Sequence, residues 1–241
     1  MIEVKVIASS SNGNCYLLKS GVHQLLLEAG LPIKRIKESV GYFLGKLDGC
    51  LVSHEHDDHA HAVKDLVDAG VDVYLSKGTA IALGNRSVGT TIISADKSVR
   101  IGGHWTVRPL LMYHDAAEPL GFLIYDHDDI LLFATDTCLL PNCKRENINT
   151  VCQLMVECNY LPSKLDEMFE NQSIGFSQAK RLIHSHMSLD TLLLWLKQNK
   201  EALRYCRKIY LLHGSQKNGD PKVFKEAVQK ATGKVVDVCE P

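Results

Sequence analysis

Short apolar runs alternate with amphipathic stretches along this chain, and this pattern limits the folds that are compatible with the sequence. Strand-like runs such as EVKVIAS at 3–9 and LGFLIYD at 120–126 are bounded by turn-forming residues. Helical patterns, with apolar residues three and four positions apart, lie at 32–47 and 61–70, and others are expected near 175–185, 188–199 and from Pro221. Because strands lead and helices interleave, the sequence predicts an α/β fold, an αββα sandwich of two mixed β-sheets with helices on the outer faces.

Length and composition set the broad class. The chain has 241 residues, of which 45% are hydrophobic, and no Pro/Gly/Ser-rich linker divides it. We therefore expect a single domain over residues 1–241. The N-terminus enters a strand-like run without a signal-peptide pattern, and no apolar segment reaches the roughly 18 residues needed to span a bilayer, so a cytoplasmic protein without membrane association is expected. In this setting the eight cysteines, which include no CxxC pair, are expected to be reduced thiols.

The stretch LVSHEHDDHAH at 51–61 is the strongest functional signal, because it holds four of the 11 histidines behind a short apolar run. In extended backbone, His54 and His56 can point to one side. Asp58 and His59, at the turn into the next helix, can point to another. Two ligand pairs from one loop suggest two metal ions, and imidazole nitrogens with carboxylate oxygens suit zinc or manganese. A solvated polar loop without a metal is the alternative.

Further ligands must come from elsewhere in the chain, and three polar residues are candidates. His114 follows VRPLLMY, Asp136 follows ILLFAT and His213 follows KIYLL, so each comes at the end of a strand-like run. A single histidine in such a place is more often an ordinary surface or core residue. Together with the loop, these residues provide imidazoles and a carboxylate able to bridge two cations.

This constellation resembles a known family. HxHxDH at 54–59, followed by His114, Asp136 and His213, is similar to the ligand pattern of the metallo-β-lactamase superfamily of binuclear hydrolases. The phrases SSSNGNC, HDAAEPLGF, FATDT and SHMS resemble in particular the WalJ/YycJ-like branch, whose site is similar to those of ribonuclease Z and the small cyclic phosphodiesterases. The resemblance extends over nearly the whole chain and implies the metallo-β-lactamase fold.

The resemblance implies a role for each site residue and two divalent metal ions, zinc or manganese, as cofactors. It assigns one metal to His54, His56 and His114, the other to Asp58, His59 and His213, and the bridging position to Asp136. Asp58 is also taken as catalytic, and a hydroxide shared by the two metals would be the nucleophile.

The roles of two residues, His186 and Glu28, each have an alternative interpretation. His186 in SHMS matches an additional histidine that stabilises phosphoryl charge or protonates the leaving group. Its alternative is a capping or solvent-facing histidine before a helix whose N-cap is Ser188. Glu28 in LLLEAG stands where the family usually has an aspartate that orients a ligand; its alternative is a surface acid at a strand end.

The predicted function is cleavage of phosphodiester bonds by a binuclear metal-dependent hydrolase, in particular an exonuclease-like enzyme acting on DNA or RNA. The expected partner is therefore nucleic acid or a small phosphodiester. A thioester or lactone hydrolase on the same scaffold, which would not need His186, is the second hypothesis. A binding module that has lost activity is the third, and the intact ligand set argues against it.

Charge is unevenly distributed along the chain. The overall net charge is −1, whereas residues 1–140 carry −5 and residues 161–241 carry +4, with 13 basic against 9 acidic side chains in the latter. A basic rim formed by Lys180, Arg181 and Lys217 that attracts a polyanion is one interpretation. Ordinary solvated helix faces are the other.

Overall fold

The computed structural model describes residues 1–215 and 217–239, and these form two compact units. The first contains Met1–Leu111 and Ala116–Asp129. The second contains Met112–Asp115 and the described residues from Ile130 onward. The expectation of one domain over 1–241 stays a prediction.

The first unit is built on a mixed sheet of six strands that follow one another in chain order. β1 to β3 pair antiparallel and β3 to β6 pair parallel, with the bounds β1 Glu3–Ser10, β2 Gly13–Ser20, β3 His23–Leu27, β4 Gly49–Leu51, β5 Val73–Ser76 and β6 Thr91–Ile93. Parallel neighbours need crossover connections, and helices occupy them: α1 Ile33–Ser39, α2 Asp57–Ala60, α3 Val63–Asp68 and α4 Lys77–Leu83. Antiparallel hairpins follow, formed by β7 Val99–Ile101, β8 Trp105–Leu111 and β9 Leu120–Asp126.

Strand β3 shows how the first unit's core is made. Leu25, Leu26 and Leu27 are all fully buried although successive side chains point to opposite faces, so both faces of the sheet are covered at this strand. Cys50 and Val52 belong to the same apolar cluster, together with residues of the crossover helices. The carboxyl ends of β3 and β4 consequently lie at one edge of a rigid sheet.

The second unit contains four consecutive parallel strands, β10 Asp129–Ala134, β11 Gln153–Glu157, β12 Lys208–Leu212 and β13 Val235–Val238. Its helices are α5 Pro162–Glu170, α6 Phe176–Ser185, α7 Leu189–Gln198 and α8 Pro221–Thr232. Because β10, β11 and β12 are parallel neighbours, the residues at their carboxyl ends lie at the same edge of the sheet. Polar side chains are concentrated there, as described below.

Most predicted elements are confirmed, and the differences have local causes. The strand over 120–126 is present with the predicted bounds, and α6 and α7 agree with their predictions to within a residue or two. The single helix predicted over 32–47 is wrong: α1 ends at Ser39, and a separate helical turn follows at Leu44–Lys46. Gly41 and Tyr42 have positive φ (79° and 63°), which interrupts the helix. Helices α4 and α5 were not predicted.

Two further expectations concern membranes and cysteines. No helix in the described part of the chain is both long and apolar enough to cross a bilayer. The cytoplasmic location stays a prediction. All eight cysteines lie within the described residues without a disulfide, and Cys50 and Cys158 are fully buried in the core. The reduced state stays a prediction.

Candidate metal centre

The loop after β4 brings its predicted ligands together in two pairs. Nε2 of His54 lies 3.0 Å from Nδ1 of His56, and Nε2 of His59 lies 3.3 Å from Oδ2 of Asp58. Two ligand atoms on one tetrahedral zinc-sized ion, each bound at about 2.05 Å, lie about 3.3 Å apart. Both pairs therefore have the spacing and the donor chemistry of metal ligands, and the first unit fits the divalent cations that the resemblance implies.

Buried polar contacts hold this loop. Oγ of Ser53 lies 2.8 Å from Nδ1 of His54 and so engages one ring nitrogen of that histidine. Glu28 is fully buried; its Oε2 accepts a hydrogen bond from the backbone N–H of Ser53 at 3.3 Å and lies 3.5 Å from Nδ1 of His59. The surface-acid alternative for Glu28 is therefore wrong. Its carboxylate contacts the loop of predicted ligands, the position that outer partners of ligand histidines occupy.

Two residues that sequence reasoning missed complete the first unit's part of the site. Asn14 is fully buried, and its amide nitrogen lies 3.1 Å from Nε2 of His59 and 3.3 Å from Oδ2 of Asp58. Gly30 passes so close to the loop that a β-carbon there would lie 1.6 Å from the carbonyl oxygen of Asp58. Asn14 lies in the family-like segment SSSNGNC, and Gly30 comes two residues after Glu28 in LLLEAG; these segments were the available signals.

In the second unit, Asp136 lies between two predicted ligand histidines. Its Oδ2 is 3.6 Å from Nε2 of His114 and its Oδ1 is 3.5 Å from Nδ1 of His213. Nδ1 of His114 lies 2.8 Å from the carbonyl oxygen of Ser185, to which a protonated Nδ1 donates, so its Nε2 faces the carboxylate. Because each oxygen of Asp136 faces a different imidazole, the side chain has the arrangement expected of a bridging ligand.

The backbone at these positions is unusual. Asp136 and His213 have positive φ values of 37° and 51°, and Glu28 in the first unit has 65°. Non-glycine residues in this region are strained and cluster at functional sites, where the surrounding structure holds them in place. All three directly follow a strand or come within two residues of its end, so the strained turn directs a side chain beyond the sheet edge.

Glu157 was not predicted, yet it organises the second unit's part of the site. It is fully buried at the end of β11, between the strands that carry Asp136 and His213. Its Oε1 lies 2.6 Å from Nδ1 of His186 and 3.3 Å from Nδ1 of His213. Its Oε2 accepts hydrogen bonds from the backbone N–H groups of Thr137 (2.9 Å) and Met187 (3.1 Å). An apolar strand that ends in an acid was the available signal, the same one used for Asp136.

The side chain of His186 consequently neither caps a helix nor faces solvent, although the residue stands at the C-cap position of α6. Its ring stacks on that of His213 at 5.5 Å, and only 17% of its side chain is exposed. Burial acts to lower the pKa of His186, but the charge and hydrogen bond of Glu157 act in the opposite direction and raise the pKa above its ordinary value. Burial acts to raise the pKa of Glu157, whereas His186 and His213 lower it below the usual range, so Glu157 is a carboxylate. The predicted N-cap at Ser188 is confirmed, since its side chain accepts a hydrogen bond from the N–H of Thr191.

Four oxygen- and nitrogen-bearing side chains meet in the second unit. Ligand atoms of Asp136, Glu157, His186 and His213 all lie within 4.8 Å of one another.

The same unit contains the residues of the predicted basic rim. Lys180 and Lys217 are exposed, but Nε of Arg181 lies 2.6 Å from the carboxylate of Asp115, which offsets its charge.

Comparison with known proteins identifies the family. The family model described as "Beta-lactamase superfamily domain" matches residues 27–213, which include every predicted metal ligand. The chain belongs to the β-lactamase superfamily. This confirms the predicted resemblance.

Two relatives and one solved structure show what this superfamily member is similar to. It is 27% identical to the exodeoxyribonuclease WalJ of Streptococcus pneumoniae over 88% of this chain and 81% of that protein. It is 28% identical to the exodeoxyribonuclease YycJ of Bacillus anthracis over 56% of this chain and 54% of that protein. The metallo-β-lactamase fold protein YhfI of Bacillus subtilis has a TM-score of 0.73 at 18% identity, covering 99% and 96% of the two chains. The predicted α/β metallo-β-lactamase fold, with two mixed β-sheets and helices, is confirmed.

Proposed function

We propose that this protein is a binuclear metal-dependent phosphodiesterase that removes nucleotides from DNA, an exonuclease. The observation that carries the proposal is the buried Glu157–His186 pair, which holds a histidine beside Asp136 and His213. A thioester or lactone hydrolase would not need that histidine. The names of the relatives from Streptococcus pneumoniae and Bacillus anthracis support DNA as the substrate class.

The proposed ligand sets are those that the family resemblance implies. His54, His56 and His114 would hold one cation, Asp58, His59 and His213 the other, and Asp136 would contact both. Support comes from the spacing within each part: the loop presents two separate ligand pairs, and the two oxygens of Asp136 face different histidines. When bound, zinc or manganese would supply an activated water at neutral pH and neutralise the phosphoryl oxygens.

The chain's own side chains perform the remaining steps. Glu157 fixes the Nδ1–H tautomer of His186, so that Nε2 is the atom directed to substrate. From there His186 donates a hydrogen bond or a proton to the leaving oxygen, a contribution typically worth about 10²–10⁴-fold. Asp58 would occupy a ligand position on one metal. Its carboxylate also accepts a hydrogen bond from the side-chain amide of Asn14, which keeps the loop in its orientation. His186 and Asp58 are therefore the proposed catalytic residues.

A polymer substrate is supported by the surface of α6. Phe176 and Lys180, four residues apart, lie on one face of the helix, and both are exposed. Phe169 of α5 contacts Phe176 edge to face, with ring centroids 6.4 Å apart. Exposed rings next to a lysine suit single-stranded nucleic acid, whose bases stack on aromatic side chains while its phosphates attract cations.

The proposal is tested by substrate choice with zinc and manganese supplied separately. Bis(p-nitrophenyl) phosphate, end-labelled single- and double-stranded DNA, RNA, and a panel of thioesters and lactones are the substrates. We expect shortening of labelled DNA from one end and loss of most activity in His186→Ala, with metal content unchanged. His184→Ala, an exposed histidine in the last turn of α6, two residues before His186, is the matched control. Hydrolysis of the acyl panel alone, unaffected by His186→Ala, would make the second hypothesis correct.

A further inference from the structure

A second cluster of metal-ligand side chains lies in the first unit, outside the candidate metal centre. It consists of His104, Asp126 and His127, whose ligand atoms lie within 4.8 Å of one another. Strands β8 and β9 pair antiparallel with Thr106 opposite Tyr125. Continuing that register by two residues places His104 opposite His127, with Asp126 next to them. The hairpin register therefore creates the cluster.

Two buried atoms of this cluster face each other without a hydrogen bond. Asp126 is 3% exposed, and its Oδ1 lies 3.1 Å from Nε2 of His104. The two atoms form an ion pair when His104 is protonated, but within the described parts of the chain neither has a partner in hydrogen-bond geometry. Buried polar atoms rarely remain unsatisfied. Their separation is close to the roughly 3.3 Å expected between two ligand atoms on a tetrahedral zinc ion, so a cation placed between them would satisfy both.

The carboxylate is in the charge state that a cation requires. The other oxygen of Asp126, Oδ2, accepts a hydrogen bond from Oγ of Ser20 at 2.7 Å and lies 3.1 Å from the amino group of Met1. Burial acts to raise the pKa of Asp126, but the Ser20 hydrogen bond, the amino group and His104 together hold this pKa below its ordinary value. Asp126 is therefore an anion at neutral pH.

One histidine of the cluster is held rigidly and the other is adjustable. The His104 ring stacks on His23 with centroids 4.0 Å apart and an interplanar angle of 5°. His23 in turn contacts Asp48, which also accepts a hydrogen bond from the indole N–H of Trp105 at 2.9 Å. His127 is exposed in the turn between β9 and β10, so its side chain can rotate toward the other two ligands.

We propose that His104, Asp126 and His127 bind one divalent transition-metal ion of the zinc class. Two imidazoles and a carboxylate suit zinc, nickel or copper better than magnesium. Three protein ligands leave a position for water or an external ligand. His104 of this site stacks on His23, the first residue of β3, whereas Glu28 directly follows the last residue of that strand. Five residues of extended strand separate the two ends by about 17 Å. It is therefore independent of the proposed catalytic metals.

The test is a zinc titration of untagged, chelator-treated protein, with the number of bound ions measured after equilibrium dialysis. The variants are His127→Asn and Asp126→Asn. Asparagine tolerates the positive φ of His127 (52°), and it keeps the shape of Asp126. We expect each variant to lose about one zinc ion per chain, or to bind that ion at least tenfold more weakly.

His61→Ala is the matched control. His61 also pairs with an aspartate, Asp57, at 2.9 Å, but both side chains are exposed and the described residues provide no third ligand there. Hydrolysis of bis(p-nitrophenyl) phosphate by His127→Asn should remain within about twofold of the parent, which separates this site from the catalytic one. Because His127 is exposed, its replacement leaves the fold intact. An unchanged zinc count and affinity in His127→Asn would overturn the proposal.

Discussion

Replacing Glu157 by glutamine tests how the second unit positions its histidine. Glutamine keeps an oxygen that can accept from the N–H groups of Thr137 and Met187, but it removes the negative charge that faces His186 at 2.6 Å. A hydrogen bond to a charged group contributes about 1.5–3 kcal/mol. At about 1.4 kcal/mol per factor of ten, its loss corresponds to a decrease in turnover of roughly 10–150-fold.

The assay is hydrolysis of bis(p-nitrophenyl) phosphate by four proteins: the parent, Glu157→Gln, His186→Ala and the double variant. If Glu157 acts through His186, its replacement should cost less than about threefold once His186 is gone, because coupled residues are not additive. Because Glu157 also faces Nδ1 of His213 at 3.3 Å, elemental analysis is run beside the kinetics and rates are compared at equal metal occupancy. A parental rate in Glu157→Gln, or an equally large loss of rate with and without His186, would contradict a positioning role for Glu157.

The remaining predictions concern the bridging ligand, the polymer surface and the loop contact. Asp136→Ala should lower metal occupancy and activity together, measured by elemental analysis beside kinetics; parental values for both would contradict a bridging role. Phe176→Ala should weaken binding of single-stranded DNA by about 1–3 kcal/mol, and Lys180→Glu should reduce the log–log salt slope by about 0.7, with hydrolysis of the small phosphodiester unchanged in both. Equal losses on both substrates would place these residues in the catalytic site instead. Gly30→Ala should destabilise the fold by about 3 kcal/mol, a decrease in Tm of roughly 6–12 °C by calorimetry, because the new β-carbon meets the Asp58 carbonyl; an unchanged Tm would show that the loop moves without cost.

Some features followed from local sequence alone. The two ligand pairs of residues 54–59 depend on neighbours within one loop, so residue order and the nearby strand were enough to predict them. The same holds for the N-cap at Ser188, which depends on a contact three residues away. Short-range geometry is restricted by backbone sterics, and a sequence pattern can therefore determine it.

Other expectations were limited by what a pattern leaves open. An acid at a strand end, such as Glu28, can be solvated or buried, and only the packing around β3 and β4 decides between the two. The interruption at Gly41 and Tyr42 divided a segment whose apolar spacing predicted one helix. Period alone does not specify where the backbone leaves the helical region.

Tertiary structure decided the contacts between residues far apart in the chain. Glu157 and His186 are 29 positions apart and meet because His186 lies between α6 and α7, while Glu157 ends β11. His104 and Asp126 meet because β8 and β9 pair in one particular register, and a shift by one residue would separate them. Residue order alone shows which residue types stand at strand ends and in the loop of predicted ligands. The pairing register, and the burial that removes these polar groups from water, determined which of them act together and in which charge state, because both depend on neighbours that no local pattern specifies.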